Sequence, residues 1–235
     1  MRSLLEDNTA GGERRIVQVF QDFCALAAFE IRTAVDRGGA DRCQGHYGQI
    51  ASGYTSAEFE RFAQALAHLA LELGKNLTDV LGELYMMLEL GNQRVGQYFT
   101  AYDASLLVAS VTVSNMARRL EEQDFVTVYE PTCGAGGMVI ATADLLSQSG
   151  VNYQTAIHVT AQDVEITAVH MTYVQLALTH IPALVIYGDT LTLEQRDVWP
   201  TPAHVLGGWN QRLRHHAARK DRVDHTTCKD ENVRN

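Results

Sequence analysis

The chain has 235 residues, 46% of them hydrophobic and 20% charged, enough for one sizeable core with a smaller appended region. A formal charge of −9 excludes a surface that binds nucleic acid all over, because phosphate attraction needs clustered Lys and Arg. No apolar run reaches membrane-spanning length and no signal-peptide core follows Met1 to Asp7, so a cytoplasmic location is expected. Cys24, Cys43, Cys133 and Cys228 are widely spaced with no C-x-x-C pair, which points to free thiols and no metal site.

The first elements read as helices. Ile16, Val19, Phe20, Phe23, Leu26, Ala27 and Ile31 mark one face of a helix over Arg15 to Val35. Gly38, Gly39, Ala40 and the glycines up to Gly53 then break the pattern. Thr55 with Glu58 three residues on is a helix start, followed by Phe59, Phe62, Leu66, Leu69 and Leu73 at helical spacing. A third helix is expected from Leu77 to Leu90, and a fourth from Asp103 to Leu120. The pattern then alternates: a strand over Phe125 to Tyr129, a helix over Met138 to Ser147, a strand over Ala156 to Thr160, a helix over Glu165 to Thr179 and a strand over Ala183 to Tyr187. That order predicts a parallel sheet with crossover helices.

In such a sheet the ligand sits outside the carboxyl ends of the strands. Three successive strands here run into an acid: Glu130, Asp163 and Asp189. Glu130 opens the turn Glu130-Pro131-Thr132-Cys133-Gly134-Ala135-Gly136-Gly137, whose glycines admit positive φ and close backbone approach. A dinucleotide site wants G-x-G-x-x-G spacing and bare amides for pyrophosphate. A carboxylate at the head of the turn repels phosphate and suits an ammonium group and ribose hydroxyls, a description that fits S-adenosylmethionine.

These residues resemble the cofactor motif of the N6-adenine DNA methylases, in particular the modification subunits of type I restriction systems. Gly96-Gln97-Tyr98-Phe99-Thr100 is similar to the aromatic motif that precedes the turn in that family, with Ala101 where the family has proline. Gln162-Asp163 resembles the Gln-Glu ending the second strand, and Gly188-Asp189-Thr190-Leu191 the family's Gly-Asp-Thr/Ser-Leu. The resemblance implies an α/β fold, a partial class I methyltransferase (Rossmann-like) parallel sheet with an N-terminal helical region. It divides the chain into a helical part (1–95), an S-adenosylmethionine-binding Rossmann-like domain (96–208) and a basic, flexible tail (209–235). It also implies the site. Tyr98, Phe99 and Thr100 would line the methionine and adenine side. Glu130 and the backbone of Gly134 and Gly136 would hold the amino-acid end, and Thr132 is a further cofactor-binding residue. Asp163 would take the ribose hydroxyls and Asp189 the adenine amino group.

The family's catalytic Asn/Asp-Pro-Pro-aromatic motif, which grips a flipped adenine, is absent: the prolines are 131, 182, 200 and 202, none adjacent. The nearest segment by position is Asp197-Val198-Trp199-Pro200-Thr201-Pro202-Ala203-His204. Forty-six residues follow Asp189, and a βαβ unit takes roughly 30, so four further strands and a target-recognition domain do not fit in this chain. His204-Val205-Leu206 is expected as one more strand covering the edge of the first; without it that edge invites a partner chain. From Trp209 to Asn235 there are seven Lys/Arg against four Asp/Glu. The readings that follow are a restriction-modification-related cofactor binder without catalysis, an active adenine methyltransferase working as an oligomer, and an interaction or anti-restriction protein with a vestigial pocket. DNA, a restriction-modification subunit or a second copy of the chain are the expected partners, and a membrane is not.

Overall fold

The computed structural model of the chain describes residues 1–88, 100 and 102–219. Its helical part holds α1 (Arg2–Glu6), a 3-10 turn (Asp7–Gly12), α2 (Ile16–Val35), α3 (Arg37–Ala51), α4 (Ser56–Lys75) and α5 (Val80–Met87). After α6 (Tyr102–Leu120) come β1 (Val126–Glu130), α7 (Gly137–Gln148), α8 (Tyr153–Ala156), β2 (Ile157–Asp163), α9 (Ile166–Leu178), β3 (Ala183–Asp189), β4 (Glu194–Pro200) and α10 (Pro202–Leu206).

The predicted helix start at Thr55 is a full capping box. The Thr55 amide donates to Glu58 Oε2 at 2.7 Å and the Glu58 amide to Thr55 Oγ1 at 3.4 Å. That amide bond and the Arg14 guanidinium, 2.6 Å away, hold the Glu58 carboxyl down to about 2. The glycine-rich stretch after Asp36 differs from expectation: it is helix α3. Asp36 caps it by accepting from the Gly39 amide at 3.0 Å, and Cys43, Tyr47 and Ile50, three to four residues apart, pack on the core. Tertiary burial there overrides the poor propensity of glycine.

The sheet order is β1-β2-β3-β4, with β1–β2 and β2–β3 parallel and β3–β4 antiparallel. The register places Val128, Val159 and Ala183 level with one another, and likewise Ala161, Val185 and Trp199. This apolar face carries α9, which lies against β2 and β3 and is covered in turn by α2; α6 runs along α7 and touches β1. Phe20, Phe23, Val159, Val185 and Met171 are among the buried residues of that core.

Strand β4 has no counterpart among the expected elements, because Glu194, Gln195 and Arg196 are solvated and hide the alternation. The expected strand at His204 to Leu206 is instead α10, capped by Thr201 with Pro202 in its first turn, so it does not cover β1. Nor does the basic segment begin as a flexible tail. Residues 209–219 are helical, and Trp209 is buried edge-on to Phe125 at 4.9 Å with the Arg212 guanidinium 3.6 Å above its ring. Residues 220–235 lie outside the described residues.

Candidate functional site

Parallel pairing brings the three predicted carboxylates to one edge of the sheet. Glu130 is level with Ala161, and Asp163 with Tyr187. Each acid therefore stands two residues beyond the last, steps of roughly 6–7 Å along strands roughly 4.8 Å apart. All three are partly exposed. Thr132 is solvated, and its amide donates to Glu130 Oε1 at 3.3 Å.

The glycine turn takes the backbone its sequence requires. Gly134 and Gly136 have φ of +56° and +93°, values that side-chain-bearing residues rarely adopt. A Cβ on Gly136 would also stand 3.3 Å from Thr172 Oγ1. Asp163 closes the turn: its Oδ2 accepts from the Gly134 amide at 2.9 Å and its Oδ1 from the Glu165 amide at 3.0 Å. Each oxygen keeps a second lone pair, so the carboxylate can still accept from a diol. Asp189 Oδ1 accepts from the Leu191 amide at 2.8 Å, and Thr190 Oγ1 donates to Pro131 O at 2.7 Å, tying the third strand end to the first. Gly188, read as part of a cofactor motif, has a nearer reason to be glycine: a Cβ would collide with the Glu194 carbonyl of β4.

Beneath the turn lies a polar support that sequence reading missed. Gln175 is fully buried in α9; its Nε2 donates to Ala135 O at 2.8 Å and to Asp79 Oδ1 at 2.7 Å, and its Oε1 accepts from the Leu81 amide at 3.0 Å. Asp79 caps α5 through the Gly82 amide at 2.9 Å, and a Cβ on Gly137 would press on its carboxylate. Thr172 Oγ1 donates to Gly134 O at 2.9 Å. Burial raises the Asp79 carboxyl, opposed by Gln175 and then by the Gly82 amide. The only signal in the sequence is Asp79 as a helix cap; nothing links it to Gln175, 96 residues away.

The other predicted residues separate. Tyr98 and Phe99 lie outside the described residues, and Thr100 is exposed. Asp197 to His204, the nearest segment by position to the missing catalytic motif, starts level with Tyr187 and Asp163. Strand β4 is antiparallel, so this segment runs away from the acidic edge. Asp197 is bonded to the buried Arg32 at 2.6 and 3.1 Å, and Trp199 is packed against Phe29, His170 and Tyr173. His204 is buried at the far end of the strands, with its Nδ1 2.8 Å from His158 Nε2. His158 lies five residues before Asp163, roughly 16 Å away along β2. Cys133 is buried, and burial pushes its thiol above the usual range, which disfavours the thiolate that a nucleophile needs.

A cavity of about 710 Å³ lies between α2, α3, the start of α9 and β4, lined in part by Phe29, Arg32, Cys43, His170, Asp197 and Trp199. None of the three strand-end carboxylates lines it. Burial, then the positive charge of Arg32, lowers His170 to about 4, so its ring is neutral at pH 7.

Among solved structures the chain is similar to a Listeria monocytogenes protein described as a class I S-adenosylmethionine-dependent methyltransferase. Identity is 14% and the TM-score 0.42, over 79% of this chain and 51% of that one. The chain thus spans about half the length of that structure, a likeness too distant to bear on function. No curated protein sequence matches. The N-6 DNA Methylase family model matches residues 76–218, more than half of the sequence, and takes in the glycine turn, all three carboxylates and their buried support. This chain belongs to the N-6 DNA methylase family.

Proposed function

We propose that the chain is an S-adenosylmethionine-binding member of this family, restriction-modification related and cytoplasmic, that holds the cofactor without methylating DNA on its own. The observation that carries the reading is the left-handed Gly134–Gly136 turn closed by Asp163, set between strand ends bearing Glu130 and Asp189. The donor set fits this ligand. Carboxylates favour its ammonium and hydroxyl groups, and the turn leaves no Cβ between ligand and backbone at Gly134 and Gly136. When bound, the cofactor supplies an electrophilic methyl group; the residues named here bind and orient it. Against catalysis stand the absent Asn/Asp-Pro-Pro motif and the burial of Trp199 and His204 in structural contacts.

Calorimetry with S-adenosylmethionine tests the pocket. Binding is expected, and Asp163→Ala combined with Gly134→Val is expected to abolish it; unchanged affinity in that variant refutes the assignment. Tritium-methyl transfer to unmethylated genomic DNA tests the second half, with no incorporation expected above a chain-free control. Incorporation that Asp163→Ala removes would show an active methyltransferase.

A further inference from the structure

Among the described residues no strand pairs with the outer edge of β1. Its middle residues, Thr127, Val128 and Tyr129, offer none of the charges or prolines that guard a free edge. Helix α6 adjoins it. Ser105, Ala109, Val113 and Met116 face inward, whereas Ala104, Leu107, Val108 and Val111 form a stripe on the outer face. Leu107, Val108 and Val111 are 72%, 53% and 76% exposed, where a helix facing only water carries polar side chains.

The hydroxyls beside this stripe are already satisfied within the helix. Ser110 Oγ donates to Leu107 O at 2.7 Å, Ser114 Oγ to Ser110 O at 3.2 Å and Thr112 Oγ1 to Val108 O at 3.3 Å. Covering them therefore strands no donor. The stripe is bounded by Asp103 in the first turn and Arg118 in the last. Read backwards about Ala109 it complements itself: Leu107 meets Val111, and Asp103 comes level with Asn115, to whose Oδ1 the Arg118 guanidinium donates at 2.7 Å.

We infer that the chain forms a twofold dimer in which α6 packs antiparallel on α6 of a second copy and β1 pairs antiparallel with that copy's β1. A twofold axis normal to the sheet beside β1 reverses strand and helix together, so one operation forms both contacts. Centred on Val128, the strand register sets Thr127 opposite Tyr129, a β-branched and aromatic pair, and keeps the two Glu130 side chains apart. The strand edge matters because a stable interface buries roughly 1,200 Å² or more, beyond what one short helix stripe supplies.

Sedimentation equilibrium of the full chain across a concentration series tests this. A dimer is expected. Leu107→Glu with Val111→Glu, both on the solvated face, is expected to weaken it at least about a hundredfold by facing like charges across the axis. Asp103→Arg weakens it too, and adding Arg118→Asp restores it, a recovery that a loss of folding does not produce. Affinity for S-adenosylmethionine is expected to stay unchanged in these variants, so this result stands apart from the cofactor reading. A monomeric wild-type chain, a dimer indifferent to the glutamates, or a charge exchange without recovery overturns the inference.

Discussion

Replacing Gln175 by Leu keeps the side-chain volume of a fully buried residue while removing all three of its hydrogen bonds. The Leu81 amide and the Ala135 carbonyl lose this partner, and Asp79 keeps the Gly82 amide but loses the Gln175 amide. A stranded buried group costs about 1–3 kcal/mol and a charged one more; Leu returns part of this through apolar packing, leaving a loss of about 3–6 kcal/mol. Urea unfolding should show a lower midpoint at unchanged slope. The penalty has a pH signature. Gln175 helps hold down the Asp79 carboxyl, so in Gln175→Leu that carboxyl rises further and buries more cheaply once protonated. The difference from wild type should therefore shrink as pH falls through the carboxyl range. Cofactor affinity should fall as well, since Ala135 belongs to the glycine turn. A loss under about 1 kcal/mol, or one independent of pH, refutes the idea that this network supports the turn.

Two further outcomes follow from the buried ionisable groups. His158 and His170 are each lowered to about 4 from 6.5, by burial first, then by His204 for the one and Arg32 for the other. A depressed native pKa means that the unfolded chain binds more protons, so stability is complete above about 6.5 and is lost as pH falls towards 4, roughly 3 kcal/mol for each ring. Denaturant titrations at stepped pH should show this loss, and His170→Leu should flatten its share; a flat wild-type profile contradicts it. Arg32, whose side chain is fully buried, pairs with Asp197 at 2.6 Å and Asp36 at 3.1 Å and lies 4.1 Å over the Trp199 ring. Arg32→Met should cost about 3–5 kcal/mol by removing the buried guanidinium that both carboxylates bind, and adding Asp197→Leu should recover part of it. A double variant as unstable as the sum of the two singles argues against this pairing.

The helices at Ile16 and Ser56 and the strands from Val126 to Asp189 were legible because each writes its period and its caps into a short window. The glycine turn was legible too, since only glycine carries that backbone cheaply. Helix α3 was not: its propensity is poor, and burial against α2 holds it. Strand β4 was not, since three of its residues face water and its pairing depends on the absence of a side chain at Gly188.

The division follows from range. The alternation of strand and helix, the acids that end three strands and the turn between them are local, so the sequence alone determined the parallel half-sheet and the chemistry at its carboxyl edge. The partners of those groups lie far off in the chain, Gln175 with Asp79, Arg32 with Asp197 and His158 with His204. Only the packed tertiary structure decided that Asp163 closes the turn and that Asp197, Trp199 and His204 pack against Arg32, His170 and His158, because contact energies between distant residues exist only once the intervening chain has folded.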